Sequence, residues 1–174
     1  MREFRNSQWA KRRKKEREYL LLQEKVNNEI RKFPLKSIAL QKAMLSMLYW
    51  AEGAKHDKVT GTRFVNTDPN LMQLYVALLR QCFMIDEARF SLRVHIHYYH
   101  KKGMVRRFWS QTLQIPEKQF TAIYVKKRSR KKRFRKNFMG ICLINYRDSA
   151  VRKEILELGY TLHRIMTGNA LSND

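Results

Sequence analysis

Tyr19, Leu22, Val26, Ile30 and Phe33 recur every three or four positions with charges between them, which predicts an amphipathic helix over residues 9–33, ended by Phe33-Pro34. Ser37 then offers an N-cap for a second helix running to Glu52, where Gly53 supplies the left-handed residue that commonly stops a helix. From Ala43 to Ala51 this helix carries no charge at all. A helix apolar all round must be covered on more than one side, here by a sheet and by a further helix from this chain or from a second copy.

Downstream, Lys55 to Asn66 alternates around Gly61 and predicts two short strands in a hairpin. Asp68-Pro69 starts a helix whose buried face is Leu71, Leu74, Tyr75, Leu78 and Leu79, up to Cys82. Ala88 to Tyr98 alternates as a strand does, with Phe90, Leu92, Val94 and Ile96 inward and Arg89, Ser91, Arg93, His95 and His97 outward. Gly103 to Leu113 is helical in pattern and closed by Pro116. Phe120–Val125 and Met139–Tyr146 are β-rich, and Ser149 caps a helix carrying Val151, Ile155, Leu156 and Leu158 to Gly159. The order of elements predicts an α+β domain with a mainly antiparallel sheet over residues 37–160, preceded by a basic helix over 1–36 and followed by a tail over 161–174.

Charge changes the picture. Of 174 residues, 37 are Lys or Arg and 15 are Asp or Glu, for a formal net charge of +22. Such an excess implies a polyanionic partner, nucleic acid or an anionic membrane surface. The excess is concentrated in residues 1–36 and in Tyr124–Asn137, where Lys126, Lys127, Arg128, Arg130, Lys131, Lys132, Arg133, Arg135 and Lys136 stand without a single acid. That second run reads as a phosphate-contacting loop, with a solvated loop or an import signal as the alternatives. No apolar run approaches the ~20 residues that cross a bilayer, so the chain is expected not to span a membrane, and nucleic acid rather than a membrane is the expected partner. Cys82 and Cys142 lack any C-x-x-C pairing, and a reducing intracellular setting, cytoplasm or nucleoid, is expected.

Glu52 is the candidate for chemistry. At a helix C-terminus the exposed carbonyls are already partly negative, so a carboxylate there calls for a compensating cation. A hard divalent ion, Mg²⁺, suits oxygen ligands of this kind, and two such carboxylates holding metal over a phosphodiester would assist its hydrolysis. The competing reading is a solvated Glu paired with Lys55. His95, His97 and His100 form an H-x-H-x-x-H set lacking a fourth ligand nearby, and they read more naturally as phosphate-contacting or exposed histidines than as a zinc site. Trp50 and Trp109 read as core; Tyr98, Tyr99 and Tyr124 are possible stacking partners for unpaired bases.

The segment Leu45-Ser46-Met47-Leu48-Tyr49-Trp50-Ala51-Glu52-Gly53 resembles the signature nonapeptide of the LAGLIDADG homing endonucleases, with Met47 where that family usually has Gly. With Leu48–Lys55, Val65–Pro69, Phe108-Trp109-Ser110 and Tyr124–Lys131, the likeness to uncharacterised LAGLIDADG-like proteins extends over residues 37–160. It implies an αββαββα unit, here with an inserted helix at Gly103–Leu113, whose saddle-shaped sheet lies in a DNA major groove and whose signature helices pair in a dimer. Because one signature is visible, a homodimer is implied, with Leu45, Ser46, Leu48, Tyr49 and Ala51 on the dimer helix. The implied catalytic residues are Glu52 and Lys126, with Glu52 and Gly53 holding Mg²⁺, and the implied DNA contacts are Arg63, Arg89, Arg93, Lys126, Lys127 and the basic run to Lys136. The expected function is duplex DNA binding with Mg-dependent strand cleavage. A non-cleaving DNA-binding or regulatory protein, or an RNA-binding protein, are the alternatives.

Overall fold

A computed structural model of the chain describes residues 2–56, 60–127 and 137–168, with side chains from Gln8 onward. Two units separate, Met1–Ser37 and Ile38–Asp174. In the first, helix α1 (Arg2–Ile30) begins earlier and ends sooner than the apolar spacing predicts. Its side chains from Gln8 to Ile30 are all exposed, the stripe of Tyr19, Leu22, Val26 and Ile30 included.

The second unit runs α2 (Ile38–Glu52), β1 (Thr62–Asn66), α3 (Pro69–Cys82), β2 (Phe90–His97), α4 (Lys102–Leu113), β3 (Phe120–Lys126), β4 (Ile141–Tyr146) and α5 (Ser149–Met166). The class is α+β, as expected. Its four strands lie in the order β1-β4-β2-β3. β4 is antiparallel to both β1 and β2, whereas β2 and β3 are parallel, so the sheet is mixed. The helical crossover α4 causes this: it carries the chain back to the end from which β2 started, as a parallel pair requires.

Strand alternation sorts the sheet into two faces. Thr62 and Phe64 on β1, Phe90, Leu92, Val94 and Ile96 on β2, and Cys142, Ile144 and Tyr146 on β4 are buried. Apart from the polar Thr62, they join Tyr49 of α2, Tyr75 and Leu79 of α3, Trp109 of α4 and Ile155 of α5 in one apolar cluster. The Phe64 and Tyr75 rings stack there at 4.3 Å. Arg80 closes two elements at once, gripping Glu87 through Nε at 2.7 Å and Nη2 at 2.8 Å while donating to the Leu113 and Gln114 carbonyls that end α4.

Several expectations are corrected. Of the hairpin over Lys55–Asn66 the second strand is present as β1, residues 57–59 of the first half lie outside the described residues, and Gly53 makes an isolated bridge to Phe64. One backbone pair forms there, the Ala54 N–H donating to the Arg63 carbonyl at 2.9 Å, while the Tyr49 hydroxyl accepts from the Arg63 N–H at 3.2 Å and donates to the Ala54 carbonyl at 2.9 Å. Gly53 does not have a positive φ. It is instead a close-approach glycine, since a Cβ there would lie 2.4 Å from the Tyr49 ring. The last helix is capped by Asp148, whose carboxylate accepts from the Ala150 and Val151 N–H groups, and it continues past Gly159 to Met166. Gly159 is buried against α2, where a Cβ would stand 3.4 Å from the Ser46 carbonyl oxygen. It marks a helix crossing rather than a helix end.

Candidate nucleic-acid interface

The alternate strand positions form the second face of the sheet. β1 contributes Arg63 and Val65, and β4 contributes Ile141, Leu143 and Asn145. β2 contributes Ser91, Arg93, His95 and His97, and β3 contributes Ala122, Tyr124 and Lys126. All of them are exposed or half-buried. No carboxylate occurs among these positions. The cross-strand register sets Arg63 beside Asn145, Arg93 beside Leu143, and Lys126 beside His97, so the fixed cations run diagonally from one edge strand to the other. Tyr124 lies beside His95 with ring centroids 4.9 Å apart. Such a face meets a polyanion without first breaking internal ion pairs.

Each predicted cation has a definite place. Arg63, Arg93 and Lys126 are on the open face and Lys127 follows β3, exposed. Arg89 is already neutralised, 2.8 Å from the Asp148 carboxylate and 3.6 Å from that of Asp86. Arg128, Arg130, Lys131, Lys132, Arg133, Arg135 and Lys136 lie outside the described residues. The histidine set does not converge: His100 Nε2 donates to the Phe138 carbonyl at 2.6 Å while its Nδ1 faces the His97 backbone. Among the described residues no group of three His, Cys, Asp or Glu is placed to hold a metal ion.

Glu52 is exposed at the end of α2, and none of the hydrogen bonds or ion pairs among the described residues involves it. The cation that answers the helix terminus is Lys55, whose Nζ donates to the Trp50 carbonyl at 2.6 Å, not to Glu52. Lys126 does not join Glu52 in one chain. Gly53 bridges to β1 at Phe64, whereas Lys126 is on the far edge strand, about 14 Å across at ~4.8 Å per strand and roughly 16 Å further along at ~3.3 Å per residue.

The dimer-helix residues divide likewise. Leu45, Ser46 and Tyr49 are buried within the chain, so they are not available to a partner. The uncovered positions are Met44, Met47 and Ala51, with Leu48 half-buried beside them, at the spacing of a single helix stripe. The reason is local. Ser46 meets Gly159 of α5, Tyr49 reaches under β1, and Trp50 packs edge-on against Tyr160 and His163. Trp50 is therefore half-buried, while Trp109 is fully buried and donates from Nε1 to the Met139 carbonyl.

Burial pushes the Tyr49 phenol above its ordinary value, against the lowering effect of the Arg63 N–H bond and of the Arg152 and Arg63 charges. Burial also raises the thiols of Cys142 and Cys82, so both are poor nucleophiles. One charged residue escapes the sequence reading: Arg152 is buried on α5. Its signal was legible, since Arg152 stands three, four and seven residues before Ile155, Leu156 and Gly159, on the face that α5 buries.

No helix among the described residues is long and apolar enough to cross a membrane. Compared with known protein families, characterised proteins and solved structures, the chain matches none.

Proposed function

We propose that this protein binds duplex DNA across the open face of its sheet, with Arg63, Arg93, Lys126 and Lys127 meeting phosphates and groove edges. The observation that carries this reading is the face itself: cations contributed by three strands and no acid among them. Phosphate neutralisation by such residues releases counterions and gives affinity that falls steeply with salt. In the sequence, the basic run to Lys136 follows Lys127 directly and adds to the same excess of positive charge.

The LAGLIDADG-like reading adds a homodimer and cleavage. Its support is that the exposed positions Met44, Met47 and Ala51, with half-buried Leu48 beside them, end beside the exposed Glu52, so two copies paired through that stripe would bring two Glu52 carboxylates near the two-fold axis. A single copy does not make a magnesium site, because the Trp50 carbonyl is taken by Lys55 and the Tyr49 carbonyl by the Gly53 N–H. The second Glu52 is required. When bound, magnesium supplies Lewis acidity toward a phosphodiester. The chain's own part is to orient the carboxylates through α2 and to hold the backbone on its sheet.

Fluorescence anisotropy with a labelled duplex at several salt concentrations tests the binding. Supercoiled plasmid with Mg²⁺, with and without Glu52→Gln, tests the cleavage. Nicking that Glu52→Gln abolishes supports the two-copy site, and nicking that survives it removes Glu52 from the chemistry. Salt-dependent binding without nicking favours a non-cleaving DNA-binding protein, and tighter retention of structured RNA than of duplex DNA at equal salt favours the RNA reading.

A further inference from the structure

Outside the open face, a cavity of about 580 Å³ is lined by Lys55, Arg152, Lys153, Glu154, Glu157 and Tyr160, together with Leu156. We infer that it is an anion site for a phosphate group, built around the buried guanidinium of Arg152. This reading does not depend on the DNA-binding proposal, since no residue of the open face lines the cavity.

Arg152 is 6 % exposed. Among the described residues no carboxylate pairs with it. Among the described residues its side chain makes one hydrogen bond, from Nη1 to the Lys55 carbonyl at 3.4 Å, and Nε is buried without a partner. A guanidinium taken out of water is strongly unfavourable unless an acceptor answers it. Both acids in the cavity wall are engaged elsewhere, Glu154 with Lys42 at 2.7 Å and Glu157 with Arg164 at 3.0 Å. What remains uncompensated is Arg152, with Lys153 beside it in sequence and Lys55 across the cavity.

The planar fork of an Arg suits two oxygens of one phosphate, and the exposed Lys153 ammonium beside it favours a dianion over a singly charged carboxylate, while the Lys55 ammonium is held on the Trp50 carbonyl at 2.6 Å. The cavity volume falls within the range that small ligands use. Tyr160 gives one wall an aromatic surface, held edge-on to Trp50 at 5.7 Å. The phosphate has two possible sources, a small phosphate compound or the terminal phosphate of a nucleic-acid strand.

The experiment titrates the full chain with inorganic phosphate, following Trp fluorescence and calorimetry, and in a second arm compares short duplexes bearing a 5′-phosphate or a 5′-hydroxyl. Lys153→Glu is the first variant, because Lys153 is exposed and its replacement leaves the core intact; Arg152→Met is the second, checked for folding by circular dichroism. Phosphate binding to one site, weakened at least about tenfold by Lys153→Glu and retained when Arg63, Arg93 and Lys126 are all Gln, is the expected result. Preference for the 5′-phosphorylated duplex, lost in Lys153→Glu, assigns the source to a nucleic-acid end, and no preference assigns it to a small phosphate compound. Binding unchanged by Lys153→Glu overturns the inference. So does the absence of both phosphate binding up to about 10 mM and any end preference.

Discussion

Replacing Arg63, Arg93 and Lys126 together by Gln removes one fixed cation from each of three strands of the open face. If each meets one phosphate, the slope of log association constant against log salt becomes shallower by about 2.7, at ~0.9 per contact. Referred to 1 M salt, that difference lowers duplex affinity by about 500-fold at 0.1 M and by about 80-fold at 0.2 M. The first figure corresponds to about 3.7 kcal/mol. Arg89→Gln is the matched control, because Asp148 and Asp86 already hold that guanidinium and no counterion is released from it. Anisotropy of a labelled duplex over a salt series gives both slopes, and thermal melting confirms that each variant is folded. A triple variant whose slope stays within about 0.5 of the parent refutes the reasoning, and so does an Arg89→Gln slope that falls as far as a third of the triple change.

Stability predictions follow from single contacts. Asp148→Ala removes the acceptor for the Ala150 and Val151 N–H groups and the partner of Arg89, and is expected to cost about 1–2 kcal/mol, seen as a fall of roughly 2–8 °C in Tm. At Gly159 a methyl group meets the Ser46 carbonyl oxygen at ordinary contact distance, so Gly159→Ala is expected to gain up to about 1 kcal/mol of helix propensity. Gly159→Leu forces α2 and α5 apart and is expected to lose about 1–3 kcal/mol; urea midpoints measure both, and equal effects of the two would contradict the close crossing. Burial raises Tyr49, Tyr75 and Cys142, so the folded chain keeps protons that the unfolded chain releases above the ordinary values of 10.0 for Tyr and 9.0 for Cys. Stability is therefore full below those values and falls as pH rises through them, a trend that urea unfolding at pH 7 and pH 10.5 would disprove by giving the same midpoint.

Strand β2 was legible from Phe90 to His97, because period-two alternation of Phe90, Leu92, Val94 and Ile96 with Arg93, His95 and His97 allows one face to be buried and the other left open, whereas Arg89, expected outward on the strand, lies in the short turn Glu87–Arg89 before it. The helix start at Asp68-Pro69 was equally plain, since a cap and a proline act within one turn. Before β1 the Tyr49 hydroxyl stands between the Ala54 carbonyl and the Arg63 N–H, and no local pattern announces that Tyr49 reaches Arg63. Glu52 was correctly placed at a helix end, yet its compensation by Lys55 at the Trp50 carbonyl depended on how the chain turned after Gly53.

By itself, the sequence determined the charge excess, the class of fold and the faces of its strands, all of which follow from composition and from periodicities that operate over a few residues. Tertiary structure alone decided which cations share a surface, because Arg63, Arg93 and Lys126 are brought together by the order β1-β4-β2-β3, a matter of long-range pairing. It also decided that Arg89 is spent on Asp148, that Lys126 is far from Glu52, and that Arg152 is buried without a counter-charge among the described residues. Each of these depends on which distant groups come within a few ångströms, where Coulomb and hydrogen-bond energies act, and such distances are set by packing rather than by sequence neighbours.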